Sequence, residues 1–406
     1  MSAERKGSSV RRQRSELWLV SSLTLATFLS SLVAFAFGPF LPAMARDLGA
    51  TVALLGQIPA LVALAAALLG LLVGPLADLV GYRLSLCLSM ACLSASILGV
   101  GLAPTLALMV PAALIGAIGR ASATPIAQAV VGTRLEGAAR RRGLAWMTAG
   151  ISGAIILGVP VLTTIESVAG WRSSFIVLSV LVAATVPLLA RVLPSDEPRP
   201  CPGLTLRGLL EAYTPILRHR PTRGLIAAFL LSNAQGSGIL ITYLGAFMVE
   251  RYGLTTQEIG WVYLAIGGGA LAGSLATGGG LGTRPLRPLI VACRVGIGAL
   301  TLATFLLPMS PLAAVGLFTV VLVLIAVANV ATATLLTSES PAGRAATMTL
   351  NGSAAALGQA IGAGLGGVAL ALGGFQALGL LATALVLSSA VVVKLSARTT
   401  PQTRAV

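Results

Sequence analysis

A chain of 406 residues that is 56% hydrophobic and 10% charged, with a mean hydropathy of +0.94, has too little polar surface to clothe a water-soluble fold of its size. Its formal net charge of +15 is scattered over short breaks between long apolar runs, which excludes a nucleic-acid-binding face and points to a protein that crosses a lipid bilayer many times. Four cysteines, Cys87, Cys92, Cys201 and Cys293, lack metal-ligand spacing and three fall in apolar runs, so they read as small core residues; no cofactor and no metal are expected.

A basic segment from Arg5 to Arg14 precedes the first apolar run, which is too long for a signal peptide and is read as a retained span. A bilayer core of about 30 Å takes roughly 20 helical residues, and twelve runs of that size are predicted. The first six cover 18–42, 53–75, 84–103, 106–131, 144–168 and 174–193. The second six cover 223–249, 259–280, 288–308, 312–336, 346–371 and 375–394. The expected organisation is an all-α membrane protein with a six-helix bundle over 1–193, a surface linker over 194–222 and a second six-helix bundle over 223–406. The linker holds the lone His219 and admits a short amphipathic helix from Leu204 to Leu217. Lys and Arg number 23 on the side of the N-terminus and three, Arg46, Arg172 and Arg251, on the other. Both termini are therefore expected on the cytoplasmic side.

Sliding the first half by 204 positions lays Gly74 on Gly278, Arg83 on Arg287, Arg140 on Arg344 and Gly170-Trp171 on Gly374-Phe375. These landmarks sit at matching turns, so two pseudo-symmetric halves of parallel topology are predicted.

Between the second and third runs lies a polar break, Gly74-Pro-Leu-Ala-Asp78-Leu-Val-Gly81-Tyr-Arg83, whose glycines suit a tight turn at a membrane surface. It resembles the signature loop of the major facilitator superfamily, with Leu79 and Tyr82 where that family usually has a basic residue. Its second copy has lost the acid, since Gly282 stands where Asp78 would map. Leu41-Pro42 with Arg46-Asp47-Leu48-Gly49, Arg140 to Gly143, Gly158-Val159-Pro160 and Gly170-Trp171-Arg172-Ser173-Ser174-Phe175 are similar to bacterial drug exporters and arabinose-efflux-type permeases. So is Glu250 to Gly260, where Thr255 and Glu258 form a candidate capping box. The resemblance implies a monomeric secondary transporter of the bacterial inner membrane that exports small organic molecules by alternating access in exchange for protons. It also implies gating roles for Gly74, Asp78, Gly81 and Arg83. Gly150, Gly153, Gly158 and Pro160 resemble the exporter motif of the fifth helix and are expected to pack the halves closely and bend that span.

Arg120 is the only charge read as deep in a span, roughly 21 Å from the outer end at about 1.5 Å per residue. Such a charge is expected to face a wet cavity or the protein interior. One reading makes it the partner of an anionic solute; the other makes it a packing arginine bonded to carbonyls and hydroxyls. Its repeat equivalent is Leu324, so the fold does not demand a charge there. All twelve carboxylates lie outside the span centres, which leaves no obvious proton carrier; Asp78, Glu166 and Glu250 near span ends are the remaining candidates. Gln57, Gln128, Asn233, Gln235, Tyr243, Asn329, Asn351 and Gln359 are expected to line the cavity, because each is costly against hydrocarbon. Any one of them could instead join helices, at ~0.6 kcal/mol per bond. An uptake permease or uniporter for a small solute, anionic ones included, is the alternative within transport, and a non-transporting sensor or scaffold lies beyond it. No catalytic constellation and no nucleotide-binding loop of the Gly-x-x-x-x-Gly-Lys-Ser/Thr type occurs, so neither an enzyme nor an ATP-driven pump is expected.

Overall fold

The computed structural model describes residues 2–193, 206–278, 285–341 and 344–397, and among them it is helical throughout, without strands. Residues 194–205 of the expected linker, Cys201, Gly282 and the last nine residues lie outside the described residues, as do the surroundings of Gly74 and the side chain of Asp78.

Ten helices among the described residues are long and apolar enough to span a membrane. Two of these, Gly137–Val192 with 56 residues and Ala346–Ser396 with 51, are double length, so the described residues hold twelve helical arms of membrane-crossing length. α1 runs over Ser2–Phe35 and continues as Phe37–Asp47. α2 comprises Val52–Leu55 and Gln57–Gly70, with Val73–Val80 prolonging it. α3 is Tyr82–Leu102 and α4 is Leu106–Arg134. α5 and α6 are the two arms of the run from Gly137 to Val192, divided at Gly170. A helix over Leu206–Arg218 covers the predicted amphipathic segment. α7 starts as Arg220–Asn233, winds as a π-helix over Ala234–Ile241 and ends as Thr242–Tyr252. α8 is Thr256–Gly278, α9 is Leu286–Leu306 and α10 is Pro311–Glu339. α11 and α12 share the run Arg344–Ala397, divided at Gly373 and Gly374.

Proline explains where several spans bend. Its ring removes one N–H donor and presses on the carbonyl four residues earlier. Pro39 acts on Phe35, next to the bend at Ala36; Pro59 acts on Leu55, where α2 is interrupted at Gly56; Pro160 acts on Ile156, inside the π-helical turn Ala154–Gly158 of α5. The fifth span thus bends as expected, through a π turn.

The twofold repeat is written in the backbone. Gly170 and Gly374 both hold positive φ, 80° and 61°, and break double-length helices at positions 204 apart. Gly49 and Gly253 are also 204 apart, with φ of 60° and 67°, and close α1 and α7. α3 and α9 are both 21 residues long, and α4 and α10 both 29. Left-handed φ is sterically cheap only for glycine, which is why the landmarks survive where side chains have diverged. Large apolar side chains remain exposed around the outside, Leu68 at 64% and Leu275 at 68% among them, as hydrocarbon contact requires.

The polar break after α2 differs from the expected loop. Gly74 to Val80 is helical, and the turn is confined to Gly81, at φ 89° and ψ 145°. The expected capping box is present, and the structure adds a second fastener at Arg172. Thr255 and Glu258 form the capping box: the Thr255 N–H donates to Glu258 Oε2 at 2.8 Å and the Glu258 N–H to Thr255 Oγ1 at 3.3 Å. Arg172 ties α6 to its neighbours, donating to Asp47 at 2.9 Å and to the carbonyls of Gly101 and Ala103 at 3.2 and 2.7 Å while lying 4.5 Å from the Trp171 ring centroid.

Candidate functional site

A cavity of about 850 Å³ lies between the halves. Its walls come from Ser30 and Ser31 of α1, Ala66 and Gly70 of α2, Arg120, Thr124 and Gln128 of α4, Asn233 of α7 and the stretch of α11 from Met348 to Gln359. It extends past Ala77 and Tyr82 to Gly132, Arg140 and Leu144, at the membrane face that carries the signature segment.

At the opposite face the halves are in contact. A Cβ on Gly38 of α1 would stand 2.5 Å from the Ile241 carbonyl oxygen of α7 and 2.6 Å from the Tyr263 hydroxyl of α8. Gly245 of α7 faces the carbonyl of Gly38 at 2.6 Å on the same measure, and Gly260 of α8 abuts Pro160 and Thr163 of α5. Only residues without side chains permit backbones to approach so closely. The cavity is therefore open towards the signature segment and sealed on the other side.

Arg120 sits at the deep end of this cavity, half-buried. Its Nη2 donates to Gln359 Oε1, a bond that crosses from α4 in one half to α11 in the other. Arg120 makes no other hydrogen bond to the described residues, and no Asp or Glu among them lines the cavity. Its guanidinium is thus a cation held by one neutral amide, with further N–H donors free to receive a carboxylate in bidentate fashion. Beside it the Ser30 and Thr124 hydroxyls meet at 3.4 Å.

Of the polar residues expected to line the cavity, the structure brings Arg120, Gln128, Asn233 and Gln359 together and takes five elsewhere. Gln57 donates to the carbonyls of Ala53 at 3.3 Å and Gly364 at 3.2 Å, joining α2 to α11. Tyr243 is buried against Gly56, its hydroxyl donating to the Ala363 carbonyl at 2.7 Å. Both belong to the seam between the halves. Gln235, fully buried, and Asn329 and Asn351 lie off the cavity, each with amide atoms that find no partner among the described residues. All five lost the polarity argument to geometry, because hydrocarbon rejects a polar group equally whether it turns to water or to another helix.

The span-five glycines are also corrected. Gly150 packs on Thr24, Gly153 on Phe28 and Gly158 on Leu32, all in α1, so they close-pack the N-terminal half internally. The contact between halves on α5 is made by Ile155, Ile156, Pro160 and Thr163, against Gly260 and Gly267 of α8. Of the signature segment, Gly81 makes the turn and Arg83 is half-buried at the start of α3. Glu166 and Glu250 do not line the cavity.

Two functional features escaped the sequence reading. Arg140, counted there as a loop charge, lines the cavity mouth. Arg294, one of the 23 basic residues expected on the side of the N-terminus, is fully buried in α9, so Arg120 is not the only intramembrane cation. Its Nη1 donates to the Ala228 carbonyl at 2.9 Å and to the Ser389 hydroxyl, and its Nη2 to Thr332 Oγ1 at 3.5 Å. That is the packing arrangement considered for Arg120. Position 294, inside the predicted span 288–308, was the available signal.

Comparison with known proteins agrees with this architecture. The chain is 26% identical over 259 residues to an uncharacterised MFS-type transporter, YceJ, of Bacillus subtilis (strain 168), a match spanning 64% of this chain and 65% of the relative. Among solved structures it is similar to the nucleoside transporter NupG, at TM-score 0.75 and 15% identity over 93% of this chain and 99% of that one. It is similar to a bacterial homologue of the human lysosomal transporter Spinster, at TM-score 0.71 and 16% identity over 94% and 95%. It is also similar to the human organic anion transporter MFSD10, at TM-score 0.68 and 17% identity over 93% and 99%. A family model of the Major Facilitator Superfamily matches residues 23–349, and with twelve crossings in two repeated halves around a central cavity the chain belongs to that superfamily of transporters.

Proposed function

We propose that this chain is a secondary carrier for a small organic solute bearing an anionic group, moved by alternating access with Arg120 as its counter-charge. The observation that carries this reading is a guanidinium at the sealed end of the cavity, bonded to one neutral amide and facing no carboxylate among the described residues. A cation in such a place is poorly neutralised until an anion arrives. A carboxylate would displace the Gln359 oxygen and make the stronger charge-assisted pair. Because that bond links α4 to α11, its exchange acts at the place where the two halves must move apart. One structural neighbour is itself described as an organic anion transporter, which is in keeping with this choice.

Export by a monomer of the inner membrane, with cytoplasmic termini, rests on the resemblance to exporters and on the excess of Lys and Arg at the face where the cavity opens. With Arg294 moved into a span that excess is 22 to three. A cytoplasmic solute would load from that face. Proton antiport has no support from the described cavity walls, so uniport or anion exchange is the second reading, favoured by the lack of an acid among the described residues that line the cavity.

The test uses proteoliposomes and matched pairs of organic acids and their uncharged amides. The acid is carried in preference to its amide, and Arg120→Gln removes its transport by about 10- to 150-fold, the equivalent of 1.5–3 kcal/mol for a charged hydrogen bond, while sparing any neutral solute. Equal loss for both would reduce Arg120 to a packing role. Transport unchanged by collapse of the pH gradient would remove antiport.

A further inference from the structure

Arg120 begins a stripe. Thr124, Gln128 and Gly132 follow it at intervals of four, all line the cavity, and together they mark one face of α4 from the sealed end to the mouth. Facing Gly132 at the mouth is Arg140 of α5, whose Nη2 lies 3.6 Å from the place a Cβ on Gly132 would occupy. Arg140 is exposed, lines the cavity and makes no side-chain bond to the described residues. At about 1.5 Å per residue the two arginine levels are roughly 18 Å apart along α4.

That separation decides what two arginines in one cavity can do. A small solute does not reach both, so they do not form a bidentate site. The screening length is ~8 Å at physiological salt, so the field of Arg120 does not extend through water to the mouth. Selection at the mouth needs its own charge. Arg141 and Arg142, exposed beside Arg140, share its sign; Glu136, at the N-cap of α5 one turn earlier, is the nearest acid in sequence, and Glu166 lies in the far turns of the same helix, off the cavity. We propose that Arg140 is the capture residue of an anion-selective vestibule, taking carboxylate- or phosphate-bearing solutes at the open face and passing them along Thr124 and Gln128 to Arg120. The proposal rests on the anion-carrier reading and adds to it a second, separable site. An arginine serving only to fix topology or to hold a lipid headgroup would have no reason to lie in the cavity wall over Gly132.

The field can be measured without knowing the solute. Thr133→Cys at the mouth and Thr124→Cys near Arg120 both line the cavity. Each is placed in full-length protein whose four native cysteines are replaced by serine, and is reacted in membranes with anionic sulfonatoethyl and cationic trimethylammonioethyl methanethiosulfonate. The background without either cysteine sets the zero. At low salt Arg140→Gln lowers the anion-to-cation rate ratio at Thr133→Cys by about five- to tenfold, as one unit charge taken at about 7 Å in water would, and moves Thr124→Cys, about 12 Å along α4, only about two- to threefold. The difference fades near 1 M salt, where the screening length is ~3 Å. Arg140→Lys keeps the wild-type ratio, separating charge from any damage to folding. A ratio at Thr133→Cys that ignores Arg140→Gln overturns the capture role. Arg120→Gln should lower the ratio at Thr124→Cys alone; if only that result fails, it is the anion-carrier reading that falls.

Discussion

Gly38 is where the sealed side of the carrier can be forced. A methyl group there would stand 2.5 Å from the Ile241 carbonyl oxygen, 2.6 Å from the Tyr263 hydroxyl and 3.4 Å from the Thr242 carbonyl oxygen. Two of these are backbone atoms, and the Tyr263 hydroxyl is itself tied to the Ile241 carbonyl at 2.8 Å, so none can rotate away. Ordinary contact lies near 3.5 Å, so Gly38→Ala demands about 1 Å of separation between α1 and α7. Overpacking of this kind costs roughly 1–3 kcal/mol, and here it applies only while this face is closed. At 1.4 kcal/mol per tenfold, the equilibrium should move about 5- to 150-fold towards the state open on this side. Nitroxides at Ala50→Cys and Arg251→Cys, one on each half at the sealed face, report that state as a longer distance in pulsed electron resonance. Gly316→Ala, with nothing within 4 Å of the added carbon, is the control and leaves the distribution unchanged. A folded Gly38→Ala protein with the parent distance distribution would show that the seam yields elsewhere and refute the reasoning.

Arg294 is a fully buried cation whose bonded partners are one carbonyl and two hydroxyls. The Ala228 carbonyl still accepts from Ser389 and Thr332 still donates to the Ala328 carbonyl without it, so Arg294→Met should match or exceed the parent in detergent thermal stability. Arg294→Ala, which adds a cavity, should lose about 2–5 kcal/mol; equal losses would assign the guanidinium a necessary electrostatic role. At the sealed face Asp47→Asn should cost under ~1 kcal/mol, since both partners of the Arg172 ion pair are more than a third exposed. Arg172→Ala also loses two carbonyl bonds and the Trp171 face, so it should cost about 2–3 kcal/mol more, and parity between the two variants would contradict that order.

The number of crossings, the bend in α5, the capping box and the repeat could all be read from residue order, because each depends on groups close along the chain. Hydropathy acts over one helix length, proline acts four residues back, and Gly170 and Gly374 impose their turns locally. Rotation of the helices about their axes, and the side on which the halves touch, were decided only when α2, α7 and α11 met. Hence Gln359 bonds Arg120 in the cavity wall while Gln57 and Tyr243, equally polar and equally central in apolar runs, close the seam. The same holds for charge: residue order puts Arg140 and Arg294 near span ends, and only packing sends one to the cavity mouth and the other into a dry bundle core. Polarity sets the cost of facing lipid, but long-range contacts choose which alternative to lipid each side chain takes.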